Sequence, residues 1–363
     1  MYLEDGNKYL CSGCKACMTI CPVDAIEMIK DEEGFEYPRI NKEKCINCKV
    51  CNKVCPNVKK SSENNMIEAY GAKLKDLESR KTSRSGGLFI ALSDYILEQN
   101  GIIYGSVLNK DFSVSHSRAT TKEERDLFKG SKYIQSDMKN TIREVIEDLK
   151  SGRKVLFSGT PCQIGGLLAA VPKQIQENLF TVEIICHGVA SEVIYKDFLK
   201  YIEEKTNKKI KKFIFRDKNY GWATHLETCI FEDDSQLTTR IFKDLYYGLT
   251  ILRPSCYKCN YANRNRVSDI SIGDFWGVDK INPEFYDNNG VSLAIINTEK
   301  GKEFFEIVKK DIDIVDCSLE NCIKYTRTLS APTKEAETRE EFWNDYKSES
   351  FESIVRKYTK YED

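Results

Sequence analysis

Fifteen cysteines set the chemistry open to this 363-residue chain, and eight of them fall in two matching runs. Each run reads C-x-x-C-x-x-C-x-x-x-C-P: Cys11, Cys14, Cys17, Cys21 and Pro22, then Cys45, Cys48, Cys51, Cys55 and Pro56. The first three thiolates of such a run lie in one tight loop and converge on one face of a cuboidal 4Fe-4S cluster. The fourth is aimed away by the following turn and ligates the other cluster. The spacing assigns Cys11, Cys14, Cys17 and Cys55 to one cluster and Cys45, Cys48, Cys51 and Cys21 to the second. A zinc site would want two separated pairs of ligands instead. Disulfides would need an oxidising compartment and usually a short secreted chain. Clusters in this arrangement move single electrons, so the expected chemistry is electron transfer.

Four later cysteines stand where an α/β core could bring them together. Cys162 lies in G-T-P-C-Q-I-G-G at a predicted strand end where a helix begins, and Cys186 closes another apolar strand before His187-Gly188. Cys256 and Cys259 form a C-x-x-C. A third cluster would use such a set; a redox-active dithiol or half a zinc site would equally use the C-x-x-C. Cys229, Cys317 and Cys322 sit in apolar patterns and are expected to be buried core thiols. Ser83-Arg84-Ser85-Gly86-Gly87 precedes a helical pattern, which would offer free backbone N–H groups to an anion such as a cofactor phosphate. An ordinary N-cap accounts for the same residues as well. Neither G-x-G-x-x-G after a strand nor G-x-x-x-x-G-K-[ST] occurs, which leaves a Rossmann nicotinamide site and P-loop hydrolysis unsupported.

The elements that must position these residues divide the chain. Residues 1–60 read as a two-cluster ferredoxin domain of bacterial type, with Ala25–Ile40 as a β-hairpin around Glu32-Glu33-Gly34. Polar Lys59–Asn65 reads as a linker. From residue 67 the pattern is α/β, divided into 67–150 and 151–325. Strands are expected at Gly101–Leu108, Lys154–Ser158 and Phe180–Cys186, and helices at Leu88–Glu98, Thr141–Leu149 and Ile194–Glu204. Ile210–Arg216, Leu226–Glu232 and Gln236–Phe242 suggest an antiparallel set, and 326–363 a charged helical tail whose aromatics pack onto the core. The fold class is thus α+β or α/β: a small ferredoxin-like domain, a mixed α/β core and a helical tail. With 31% charged residues and a formal net charge of −1, nothing calls for nucleic acid. The polar N-terminus lacks a signal-peptide core, and no apolar run approaches a membrane span. A cytoplasmic, reducing and anaerobic setting is expected.

Several segments together resemble the coenzyme F-420 hydrogenase/dehydrogenase β-subunit family, in its form with an N-terminal two-cluster ferredoxin. They are S-R-S-G-G-L from Ser83, K-G-S-K-Y-I-Q-S from Lys129, G-T-P-C-Q-I from Gly159, C-H-G-V from Cys186, F-R-D-K-N-Y-G-W from Phe215, C-Y-K-C from Cys256 and S-D-I-S-I-G-D-F-W-G from Ser268. The resemblance implies FAD held without a Rossmann fingerprint beside a third 4Fe-4S cluster on Cys162, Cys186, Cys256 and Cys259. It places Ser83, Ser85, Gly86 and Gly87 on the flavin phosphates and Lys132, Tyr133, Gln135 and Ser136 along the flavin. Gly159, Thr160, Gly273 and Asp274 would lie nearby. Lys132 would stabilise the anionic reduced ring.

The expected route runs from ferredoxin or another low-potential donor through the clusters to FAD and then to a small organic substrate. A flavin suits that junction because it exchanges electrons singly or in pairs. Two other readings stand beside this oxidoreductase. One is an electron-transfer β-subunit of a hydrogenase or dehydrogenase complex of the F-420 type. The other is a non-enzymatic redox carrier or sensor. No catalytic residue is assigned, and assembly as a homo-oligomer or with a partner subunit stays open.

Overall fold

The computed structural model describes residues 1–58 and 64–360. Its frame is an eight-stranded sheet in the order Ile312–Cys317, Glu68–Leu74, Ser292–Ile296, Ile270–Asp274, Leu179–Ile184, Val155–Gly159, Ile102–Leu108 and Val114–Ala119. The four strands at Ile102, Val155, Leu179 and Ile270 run parallel, and the flanking strands are antiparallel. The central strands read as continuous apolar runs because both faces are covered. Helices Leu88–Glu98 and Glu299–Val308 bury Leu92, Ile96, Phe304 and Phe305 on one face. Helices Thr141–Lys150 and Pro161–Ala170 bury Ile142, Val145, Ile164 and Leu167 on the other. The mixed α/β class and N-terminal iron–sulfur domain expected from the sequence are the ones observed. Among the described residues no helix is long and apolar enough to cross a membrane.

A three-stranded antiparallel sheet, Ile210–Ile214, Glu227–Phe231 and Gln236–Thr239, packs on helix Glu192–Thr206. The strand expected over Gln236–Phe242 stops at Thr239, and Ile241–Tyr247 is a helix. Ile241, Phe242, Leu245 and Tyr246 bury one helical face, a spacing that a strand would have split between two faces. The tail forms helices Arg339–Ser348 and Phe351–Tyr358, with Phe342 and Trp343 buried in this cluster.

Glu227 in the middle strand of that sheet is 0% exposed, and neither carboxyl oxygen has a well-formed hydrogen bond. Burial pushes its pKa well up, against a smaller opposing pull from the Phe242 and Lys243 backbone N–H groups. A folded-state pKa above the unfolded one gives stability that is present at acid pH and lost as pH rises. Glu227→Gln should therefore be stabilised relative to the parent. Its advantage should widen, by up to about 1.4 kcal/mol per pH unit, as pH rises above the ordinary carboxyl value of 4.5. Thermal unfolding across that range checks this; a constant gap would show that Glu227 is ionised in the fold.

The N-terminal domain is bound to the core at several points. Its hairpin pairs Ile26 with Ile40 and turns through Gly34 at φ 81°, where a Cβ would strike the Val193 side chain. The Glu33 carbonyl in that turn accepts from Ser191 Oγ at 2.6 Å, and its carboxylate pairs with Arg339 of the tail. Tyr9 donates to Glu335. Of the expected linker, 59–63 lies outside the described residues, and Asn64–Asn65 is a short strand paired with Asn265–Arg266.

Candidate functional site

The two cysteine loops share a backbone device. Gly13 and Lys15 flank Cys14 in the left-handed region, and Asn47 and Lys49 flank Cys48 in the same way. Such paired left-handed residues curl a loop so that its side chains point inward, and Gly and Asn adopt them most readily. Short helices Ala16–Thr19 and Val50–Lys53 then carry Cys17 and Cys51. Cys11, Cys14, Cys17 and Cys55 line one small cavity closed by Tyr2, Leu10 and Pro38. Cys51 lies within electrostatic reach of Cys48 and Cys21, and Cys45 opens that loop. In both groups the fourth thiol comes from the other run.

The structure also brings Cys162, Cys186, Cys256 and Cys259 together, each acting electrostatically on others of the set. Cys162 and Cys186 follow the carboxyl ends of adjacent parallel strands. Thr160 caps the helix that carries Cys162, with Gln163 closing the capping box. Cys256 and Cys259 sit on and just after the turn Pro254–Lys258. Burial pushes the thiols of Cys14 and Cys256 up to about 12 and Cys259 up to about 11. Such raised values keep the thiols protonated at neutral pH unless a metal takes the proton's place. Among the described residues no three such side chains close tightly enough for a single metal ion. The first N-terminal group abuts the core: a Cβ on Gly166 would lie 2.7 Å from Cys14 Sγ, and Gly166 is one turn beyond Cys162.

Beside these cysteines a cavity of about 260 Å³ opens at the carboxyl ends of the parallel strands, the place where open α/β sheets bind ligands. Ser83, Ser85, Gly87, Lys132, Tyr133, Ser136, Gly159, Thr160, Gly273 and Asp274 all line it, as does Cys186. Gly86 and Gln135 do not. A Cβ on Gly86 would lie 2.2 Å from the Ala72 carbonyl, so its glycine serves sheet packing. Gln135 instead turns to the first cysteine loop, donating to the Ser12 carbonyl. Lys132 lines the wall, but its ammonium is engaged by the carbonyls of Leu127, Phe128 and Lys129, and burial lowers its pKa to about 7. The ammonium is thus held by the turn that follows helix Lys122–Asp126.

Two cavity arginines that the sequence did not single out keep unpartnered nitrogens. Arg84 is nine-tenths buried, donates to the Trp222 carbonyl, and leaves Nε and Nη1 without partners. Arg216 pairs with Asp274 at 2.7 Å and leaves its Nε unpartnered. Asp274 also accepts from Trp222 Nε1, and although burial pushes its pKa up, Arg216 and Arg84 together hold it below the ordinary carboxylate value. Trp222 stacks on Trp276 at 5.4 Å. His116 donates from Nε2 to the Ser158 carbonyl and accepts from Ser136 at Nδ1; burial lowers its pKa to about 4, so it is a neutral ring in the wall. The signal for Arg84 lay in S-R-S-G-G-L and that for Arg216 in F-R-D-K-N-Y-G-W, but an arginine's burial is a property of the fold.

Two clustered cysteine loops fused to an α/β core with further thiols at its strand ends define an iron–sulfur electron-transfer protein of the oxidoreductase class. Residues 10–58 match a 4Fe-4S dicluster domain, and residues 152–319 match the C-terminal part of the coenzyme F-420 hydrogenase/dehydrogenase beta subunit. Both matches are to the kinds of domain that the sequence segments resemble. The chain is 23% identical over 319 residues to a subunit of the F(420)H(2) dehydrogenase of Methanosarcina mazei, covering 87% of this chain and 75% of that protein. It shares its fold with a chain from the F-420-reducing NiFe hydrogenase complex of Methanosarcina barkeri. That match has a TM-score of 0.51 and 21% identity, and spans 73% of this chain and 88% of the other.

Proposed function

We propose that the chain is the electron-transfer subunit of an oxidoreductase complex, passing electrons between its 4Fe-4S clusters and a flavin in the strand-end cavity. The supporting observation is the order of parts: the first cysteine group touches the helix bearing Cys162, and Cys186 forms part of the cavity wall. The relatives favour the subunit reading over a self-contained reductase, since both are named as parts of dehydrogenase or hydrogenase assemblies. A low-potential donor, ferredoxin or a partner subunit, would feed the N-terminal clusters, and the eventual acceptor would be a small organic molecule.

The donor set suits an anionic flavin nucleotide such as FAD. The unpartnered nitrogens of Arg84 and Arg216 would take its phosphates, and the first N–H groups of helix Leu88–Glu98 add a positive helix end. A bound flavin supplies the exchange between single-electron and paired-electron chemistry. The chain's own residues orient and insulate. Asp274 fixes the two arginines and Trp222, while His116 and Tyr133 keep the inner wall dry.

The test is cofactor content and turnover of anaerobically purified protein. About twelve iron and twelve sulfide per chain are expected from three clusters, with one releasable flavin of FAD mass. The isolated chain should accept electrons from a low-potential donor without sustained acceptor turnover until a partner is added. Eight iron with Cys256 and Cys259 as free thiols would remove the third cluster, and steady turnover by the chain alone would overturn the subunit reading.

A further inference from the structure

Arg253 is 1% exposed and sits where the first cysteine loop, the hairpin and the core meet. Its Nε donates to the Cys11 carbonyl at 2.7 Å, Nη1 to Gln135 Oε1 at 2.8 Å and Nη2 to the Glu36 carbonyl at 2.9 Å. All three acceptors are neutral, and the guanidinium lies over the rings of Tyr37 at 4.4 Å and Phe35 at 5.5 Å. The comparably buried Arg266 has Glu183 as counter-ion, whereas no carboxylate pairs with Arg253 among the described residues. A buried charge without compensation is strongly unfavourable, so an anion must be supplied by something else.

The cysteines stand where that anion would be. The Arg253 charge acts on the thiols of Cys162 and Cys256. Its backbone N–H donates to the Val189 carbonyl, and its carbonyl accepts from the Cys256 N–H at 2.9 Å, which locks it between the two parts of the core group. On the other side, Gly13 is left-handed at φ 69°, and a Cβ there would lie 3.0 Å from Nη1. The first loop is built to lie directly on the guanidinium.

We infer that Arg253 is the shared counter-cation of the first N-terminal cluster and the core cluster, shifting both toward the reduced state. Each 4Fe-4S cluster with four thiolates is anionic and gains one further negative charge on accepting an electron. No bond changes in that step, so a fixed cation nearby acts on the reduction equilibrium alone. The inference rests on the core-ligand assignment proposed above, while the first cluster lies within the dicluster domain.

The experiment is a redox titration of the full-length chain followed by electron paramagnetic resonance, without acceptor. Arg253→Met should make the first and core clusters harder to reduce by tenfold or more, which is about 59 mV per tenfold for one electron. The Cys45 group should move less than threefold. Arg253→Lys keeps the charge while losing the fork and should stay within about threefold of the parent. Should the Met variant fail to retain iron, Arg253→Gln carries the same expectation. Unshifted clusters in a charge-free variant that retains iron, or a Lys variant displaced as far, would overturn the inference. A parent lacking the third cluster signal would sink the core-ligand assignment and leave the first cluster's shift to decide Arg253.

Discussion

Cys162→Ser is expected to leave the two N-terminal clusters reducible while slowing electron delivery to the cavity by at least about a hundredfold. Loss of an outer-shell partner alone already costs about 10–100-fold in metal affinity or activity, and Cys162 would be a ligand itself. Its serine would sit at the start of the helix that Cys14 touches through Gly166, so the defect would fall between electron entry and the proposed flavin. Stopped-flow reduction by ferredoxin, with cluster and flavin bleaching followed separately, distinguishes the two steps. A strong chemical reductant should still bleach the variant's flavin. Cys317→Ser is the control, since Cys317 lies at the end of an edge strand with its Sγ 3.0 Å from Cys322. Equal flavin reduction in parent and Cys162→Ser would show that this thiol is not on the path.

The cysteine chemistry was legible because cluster ligation imposes fixed spacings, and the left-handed residues flanking Cys14 and Cys48 repeat with them. Helix Leu88–Glu98 was legible to the residue, since Gly87 marks its start and the apolar period fills its length. What escaped was whatever depends on contacts distant in sequence. Gly86 looks like a phosphate turn but is held small by the Ala72 carbonyl. Lys132 lines the cavity as expected, but its ammonium is held by the carbonyls of the turn at Leu127–Lys129. Cys317 and Cys322 were expected to be buried core thiols; Cys322 is one, whereas Cys317 is partly exposed, with its Sγ 3.0 Å from Cys322. Arg84, Arg216 and Arg253 are three of the chain's 55 basic residues, and nothing local separates them from those facing solvent. The N-terminal module reads as detachable behind a polar linker. Arg253 and Arg339 reach into it, however, so deleting residues 1–60 would strand both guanidinium groups.

The second large effect concerns the ion pair of Arg266 with Glu183, whose side chains are 2% and 0% exposed. Glu183 precedes Cys186 by three residues and also accepts from Ser271 at 2.6 Å. Arg266 donates to the carbonyls of Tyr261 and Asn263, in the segment that follows Cys259. The pair therefore ties the strand end of Cys186 to the loop of Cys256 and Cys259. Removing one member leaves the other charged, buried and unpaired, which costs about 3–5 kcal/mol, whereas replacing both with apolar groups of similar volume can be neutral. Arg266→Met should thus lower the unfolding free energy by about that amount and, with the proposed core cluster losing its cysteine alignment, drop iron from about twelve to about eight per chain. Glu183→Leu combined with Arg266→Met should be more stable than either single variant. Denaturant unfolding followed by circular dichroism reads the stability, and a single variant within about 1 kcal/mol of the parent would mean that Ser271 and the two carbonyls, rather than the charge pair, hold the loop in place.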